Sequence, residues 1–168
     1  MAIKDALLPE LDHEMGTTRR VLERVPLSEG QWKPHTKSMT LGDLAAHIVE
    51  IPAWVGSMID SSSFDVTSNP DYKRATYAST ASLLSAFDQN VAKTRAKIAS
   101  KSDAELMETW SLKSGEKVLF SLPKVGVLRS FLMNHLIHHR GQLSVYIRLK
   151  NVPVPSIYGP SADEPGMG

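Results

Sequence analysis

In four segments of the chain, apolar residues, joined by an occasional threonine or histidine, recur at alternating steps of three and four. That spacing keeps them on one face of an α-helix. The first row is Leu8, Leu11, Met15, Thr18, Leu22 and Val25, stopped by Pro26. The second is Thr40, Leu44, His47, Ile51, Trp54 and Met58, widened by Leu41, Ala45, Ile48, Val55 and Ile59. The third runs through Thr80, Leu84, Phe87, Val91, Thr94 and Ile98, and the fourth through Leu128, Leu132, His135, His139, Gln142, Tyr146 and Leu149. Stripes of this kind must be buried against one another, so the pattern predicts an all-α protein built as a four-helix bundle.

The segments between the rows carry their own signals. Thr40 with Asp43 three residues on resembles a capping box with a shortened acid, and Ser102 with Glu105 resembles another. Pro26 and Pro34 bracket a loop that cannot be regular helix. Residues 61–78 form a long Ser/Asn/Pro-containing crossover between the second and third helices, which suits helices that are not antiparallel neighbours. Over 101–122 the chain predicts a short extra helix, or a small hairpin about a Ser-Gly turn. Pro52 should bend the second helix just after His47, and Gly141 inside the fourth suggests close approach by another helix or a ligand. The Pro-rich tail, 151–168, should lie over the surface as extended coil. The expectation is one domain over 1–168, with its core bundle at about 3–150.

Composition narrows the function classes. The chain has 168 residues, 42% hydrophobic and 22% charged, with a net charge of +1. That is enough chain for one hydrophobic core. No dense Lys/Arg block is present, which argues against nucleic acid as a partner. Cysteine is absent, so disulfides, thiolate metal sites and a cysteine nucleophile are excluded. A chain without disulfides fits a cytoplasmic address. The first residues lack the apolar run of a signal peptide, and no window has the ~20 apolar residues that would cross a membrane.

Three of the six histidines interrupt otherwise apolar rows. His135 and His139 are four apart, which stacks them on one helix face with Cβ atoms about 5–6 Å apart. Two imidazoles so placed can reach one ion. Zinc peptidases use the same spacing, but position 136 is Leu where their catalytic glutamate would stand. His47, on the second row, supplies a third nitrogen. Three neutral ligands leave a coordination position open, the arrangement of catalytic rather than structural sites. The alternative is a set of buried histidines bonded to neighbours and holding nothing. Gln142 follows His139 by three residues and is a candidate to hydrogen-bond a ligand ring or a bound water. Asp43 and Glu50 flank His47 and are candidates to orient its ring. His138 lies about 100° round the helix from His139, beside the site rather than in it. His13 and His35 are expected at the solvated surface, and Arg140 at the surface or in an interhelix salt bridge.

The segments WKPHTKSMTLGDLAAHIVEIPAWV and NHLIHHRGQLSVYIRLKNVPVPSIYGPSADE, with their upstream helical histidine and His-x3-His-Arg-Gly-Gln block, resemble the DinB-like, damage-inducible family of bacterial proteins. The resemblance implies a four-helix bundle with a long crossover between helices 2 and 3, often as a homodimer. It places the family's three-histidine metal site on His47, His135 and His139. Some relatives are metal-dependent thiol transferases or isomerases that use a low-molecular-weight thiol such as bacillithiol, mycothiol or glutathione; many have no established activity. Two functions follow as expectations. One is a metal-dependent enzyme acting on a small molecule, of thiol S-transferase or hydrolase type, with one divalent Zn, Ni or Fe ion and catalytic residues unassigned. The other is a non-enzymatic metal-binding stress-response module that works through dimerisation or ligand binding. A polar-rimmed pocket of a few hundred cubic ångströms above the metal favours the enzyme, and a filled, dry site favours the module.

Overall fold

A computed structural model describes residues 2–166. Its core consists of four long helical columns, as the four rows predict. Helix α1 spans Ile3–Leu22, α2 Leu41–Met58 and α3 Thr80–Ser100. The fourth column runs without a break from α5, Lys124–Val127, through a π-helical segment, Leu128–Asn134, into α6, His135–Leu149. Between α3 and α5 lie a short helix α4, Asp103–Met107, and a hairpin of β2, Thr109–Ser114, with β3, Lys117–Pro123. Both elements expected over 101–122 are therefore present.

Hydrogen bonds between helices give their directions. From α3, Asn90, Thr94 and Lys97 donate to the carbonyls of Val49, Pro52 and Gly56 in turn. Partner numbers rise together, so α2 and α3 are parallel neighbours. The chain must then travel back the length of α2, roughly 27 Å at 1.5 Å per residue, before α3 can begin. That return explains the long crossover. Arg19 and Arg95 pair with Asp88 and Asp12 respectively, so α1 and α3 are antiparallel. Helix α2 packs against α3 and α6, as α1 does, which sets α1 and α2 diagonally across the bundle.

The crossover does more than connect. Ser63–Asp65 forms a strand, β1, pairing in parallel with β2 to make a three-stranded sheet in the order β1-β2-β3. Without it, β2 would present an open edge. The Asp65 carboxylate accepts from the Gly115 amide at 3.0 Å and ties the crossover to the hairpin turn, where Gly115 adopts φ +60°.

Local chemistry sets the helix ends. The Thr40 hydroxyl accepts from the Asp43 amide at 3.1 Å, and Ser102 with Glu105 closes a full capping box. Asn151, at φ 57°, ends the fourth column: its amide donates to the Arg148 carbonyl and the Val152 amide to that of Ile147, a Schellman motif. Helix α2 continues past Pro52 to Met58 as one element. The close helix approach expected at Gly141 falls elsewhere: a Cβ there would meet nothing within 4 Å, whereas one on Gly56 would lie 2.4 Å from the Thr94 hydroxyl oxygen.

On α6 the core-facing row is offset by one residue from the row read in the sequence. Leu136, Arg140, Leu143 and Ile147 are buried, while Gln142 and Leu149 are exposed. The histidine row therefore lies at the margin of the core, where α6 meets α2. Arg140, on the core face, is an interhelix ion pair and not a surface residue. It meets Glu14 at 2.8 Å, donates to the Thr18 hydroxyl at 3.2 Å, and reaches Tyr158 of the tail at 2.5 Å. The tail lies over α1 and α6 as irregular chain. Among the described residues, no helix is long and apolar enough to cross a membrane.

Candidate metal centre

Helix α2 brings His47, and α6 brings His135 and His139, to one point at the edge of the core. His47 is 7% exposed and His139 8%, while His135 is half-buried and marks the side open to solvent. Their Nε2 atoms form a triangle of 2.8 Å (His135–His139), 3.1 Å (His47–His139) and 3.3 Å (His47–His135). For metal–nitrogen bonds of about 2.0–2.1 Å, tetrahedral angles set ligand nitrogens roughly 3.3 Å apart and right angles roughly 2.9 Å. The triangle has the dimensions of a three-nitrogen cap.

Proton accounting points the same way. The Gln142 side-chain oxygen lies 2.8 Å from Nδ1 of His139. An amide oxygen only accepts, so Nδ1 carries the proton and Nε2 offers a lone pair to the triangle. The Phe131 carbonyl, one turn earlier on the same column, favours the charged form of the His135 ring. His47 differs: Arg74 stands 3.4 Å from its Nδ1, and a guanidinium only donates, which leaves the proton on Nε2. The lone pair of His139 thus faces two further ring nitrogens, at 2.8 Å from His135 and 3.1 Å from His47, and all three converge on one point. A cation among them relieves that contact. The donor set fits a divalent transition metal.

Electrostatics keep the rings neutral, as ligation requires. Burial pushes the His47 imidazolium down to about 3, helped by the fields of His139, Arg74 and His135. Burial also lowers His135, against the Phe131 hydrogen bond, and lowers His139, against the bond to Gln142. No Asp, Glu or fourth His joins the group among the described residues.

The other sequence candidates take distinct places. The Asp43 carboxylate accepts from the Thr40 hydroxyl at 2.7 Å, so it caps α2 instead of touching His47. Glu50 reaches His47 only through an intermediary: it accepts from the Tyr72 hydroxyl and from the Ala75 amide at 2.8 Å, and lies 3.6 Å from Nε of Arg74. His138 is exposed, its ring 4.9 Å from that of His139. His13 and His35 are exposed. Arg74 and Tyr72, both from the crossover, were invisible in the sequence because an irregular loop has no periodicity to mark the residues that turn inward. Trp54 was visible in the second row but readable only as packing. Its ring lies 5.2 Å from that of His47 and 5.7 Å from that of Tyr72.

The chain matches the DinB family over residues 3–166. The uncharacterized protein YrdA of Bacillus subtilis (strain 168) is 49% identical to it over 39 residues, a stretch that is 23% of this chain and 23% of that protein. The fold is similar to that of two crystal structures, each at 20% identity. A DinB-like protein of Bacillus cereus ATCC 10987 superposes with a TM-score of 0.71, covering 94% of this chain and 98% of that one. The DinB-like protein YjoA of Bacillus subtilis gives a TM-score of 0.68, with 88% and 96% covered.

Proposed function

The chain belongs to the DinB family, and from that premise we propose that it is a metal-dependent enzyme acting on small molecules, of thiol S-transferase or hydrolase type. His47, His135 and His139 hold one divalent ion, zinc, nickel or iron, imidazole being a good ligand to each. The observation that carries this reading is the Nε2 triangle of 2.8–3.3 Å at the edge of the core. When bound, such an ion lowers the pKa of a coordinated water or thiol and polarises a carbonyl.

The chain's own residues supply orientation. Gln142 fixes the His139 tautomer through Nδ1. Glu50 anchors Tyr72 and the Ala75 amide and so holds the crossover beside His47. The half-exposed edge at His135 gives a small molecule its approach. The substrate is a small molecule, and a low-molecular-weight thiol is the co-substrate that this site chemistry suits best. The chain acts as one domain in the cytoplasm.

A second reading, a non-enzymatic metal-binding module working as a homodimer, draws on one feature. Val145 and Leu149, a turn apart on α6, are 56% and 54% exposed, an apolar pair that a second copy would cover. A screen of purified protein for thiol-dependent transfer and for hydrolysis, with and without chelator, separates the two. The enzyme reading expects turnover that chelator abolishes and zinc or nickel restores. No turnover with any thiol or hydrolysable substrate tested counts for the module, and chelator-insensitive turnover contradicts both readings.

A further inference from the structure

Trp54 adjoins both the histidine cluster and a second feature of this fold. Its ring lies 5.2 Å from that of His47, and it lines a groove of about 510 Å³ that also takes in Met58 from α2 and Phe64, Val66, Asn69 and Tyr72 from the crossover. Phe64, Val66 and Tyr72 are 39%, 48% and 43% exposed. Large apolar side chains left this open on a monomer, and gathered in one place, mark a binding surface. The volume is that of a small-molecule site, and no lining residue is charged.

Strand β1 explains why these side chains stay exposed. Pairing with β2 fixes the backbone of Ser63–Asp65, and the Val66 amide donates to the Lys113 carbonyl at 3.0 Å. Phe64 and Val66, two apart, project to the same side of that extended segment. On the other bank, the Tyr72 hydroxyl is held by Glu50. The groove is therefore preformed, with walls fixed by backbone pairing and by a buried-edge carboxylate, and a ligand need not order it on binding.

Distance along α2 sets the shape of the occupant. Trp54 and Met58 follow His47 by seven and eleven residues, roughly 10 and 16 Å along the helix axis. A molecule with one end at the three histidines and its body in the groove spans about that length. We propose that the groove is the body-binding subsite for an elongated substrate with an uncharged aromatic or branched-alkyl body and one metal-coordinating end. The assignment of the coordinating end rests on the metal reading above; the apolar subsite does not. Trp54 and Tyr72 meet edge to face, centroids 5.7 Å apart, and together present an aromatic wall against which a further ring can pack. The exposed apolar residues of the hairpin, Val118 and Leu119, are not part of this groove's lining and serve as a control.

The test uses N-phenyl-1-naphthylamine, an uncharged fluorescent aromatic probe, titrated into the full-length, metal-free protein. The proposal expects one site per chain, affinity reduced at least fivefold by Phe64→Ser and by Val66→Ser, and no change on Val118→Ser. Both groove substitutions fall on exposed side chains, and circular dichroism verifies that each variant remains folded. Its sulfonated analogue, 1-anilinonaphthalene-8-sulfonate, binds more weakly in a groove without a cation. Binding of the uncharged probe persists in His139→Ala, so loss of the metal assignment leaves this result standing. Equal affinity of the wild type and both groove variants overturns the proposal, as does an equal loss on Val118→Ser. So does a wild-type dimer that binds no probe and that Phe64→Ser converts to monomer, because the groove would then be covered by a second copy.

Discussion

His47, His135 and His139 differ in what stands behind each ring, and that difference decides how each behaves. Gln142 accepts from the His139 ring and leaves its Nε2 lone pair free, while His135 has the Phe131 carbonyl near its ring. Arg74 presents a donor and a positive charge to His47. An ion on Nε2 of His47 requires Nδ1 to carry the proton, which sets donor against donor at Arg74. Substitutions at the two positions should therefore act with opposite signs. Gln142→Leu weakens zinc or nickel binding about 10–100-fold, the usual effect of losing a ligand's outer partner, whereas Arg74→Gln strengthens it; competition with a chromogenic chelator measures both. Acid stability carries the same signature. His47 titrates near 6.5 when unfolded and is lowered to about 3 when folded, so below 6.5 the unfolded chain takes up a proton that the folded apoprotein refuses. Stability of the metal-free protein should fall as pH drops from about 7 to 5, above the range of ordinary carboxylates. Thermal melts in chelator should show a smaller fall for His47→Gln than for wild type; equal falls would mean that His47 is not held neutral.

Helix rows were legible in the sequence because burial imposes a period. All four columns, the crossover and the hairpin lie where apolar spacing and turn residues put them. What spacing could not give was the rotation of α6. The row read there carries His135, His139 and Gln142, the buried row the single charge of Arg140, and the choice between them depends on Glu14 lying opposite Arg140 at 2.8 Å. A buried arginine is tolerable only when paired, and its partner is 126 residues away in sequence. The π-helical segment before His135 was equally hidden, since its wider turn leaves no residue signature. The parallel packing of α2 on α3 turns on Gly56, where Thr94 occupies the space of a Cβ. Gly56→Ala should destabilise the fold by about 1–3 kcal/mol through overpacking, read as a lowered urea midpoint with unchanged slope. A gain from the improved helix propensity alone would contradict that packing.

At the scale of the molecule, the seam between α2 and α6 collects the chemistry while the seam between α1 and α6 collects the rigidity. The Glu14–Arg140–Tyr158 cluster ties α1, α6 and the tail together, one residue from His139. The crossover, pinned to the hairpin by β1, delivers Arg74 and Tyr72 to the other side of His47. Three histidines were readable from sequence because each interrupts an apolar row. Their closure into a triangle under 3.5 Å on a side, and the arginine behind one of them, required the folded chain. The chemistry proposed at the α2–α6 seam requires that triangle to hold an ion. Elemental analysis of untagged protein, purified from metal-replete cells without a metal-affinity step, tests it. About one equivalent of a single divalent transition metal per chain is expected, lost in His47→Ala and in His139→Ala. Wild-type protein free of metal, or a His139→Ala variant that keeps its full equivalent, would contradict it.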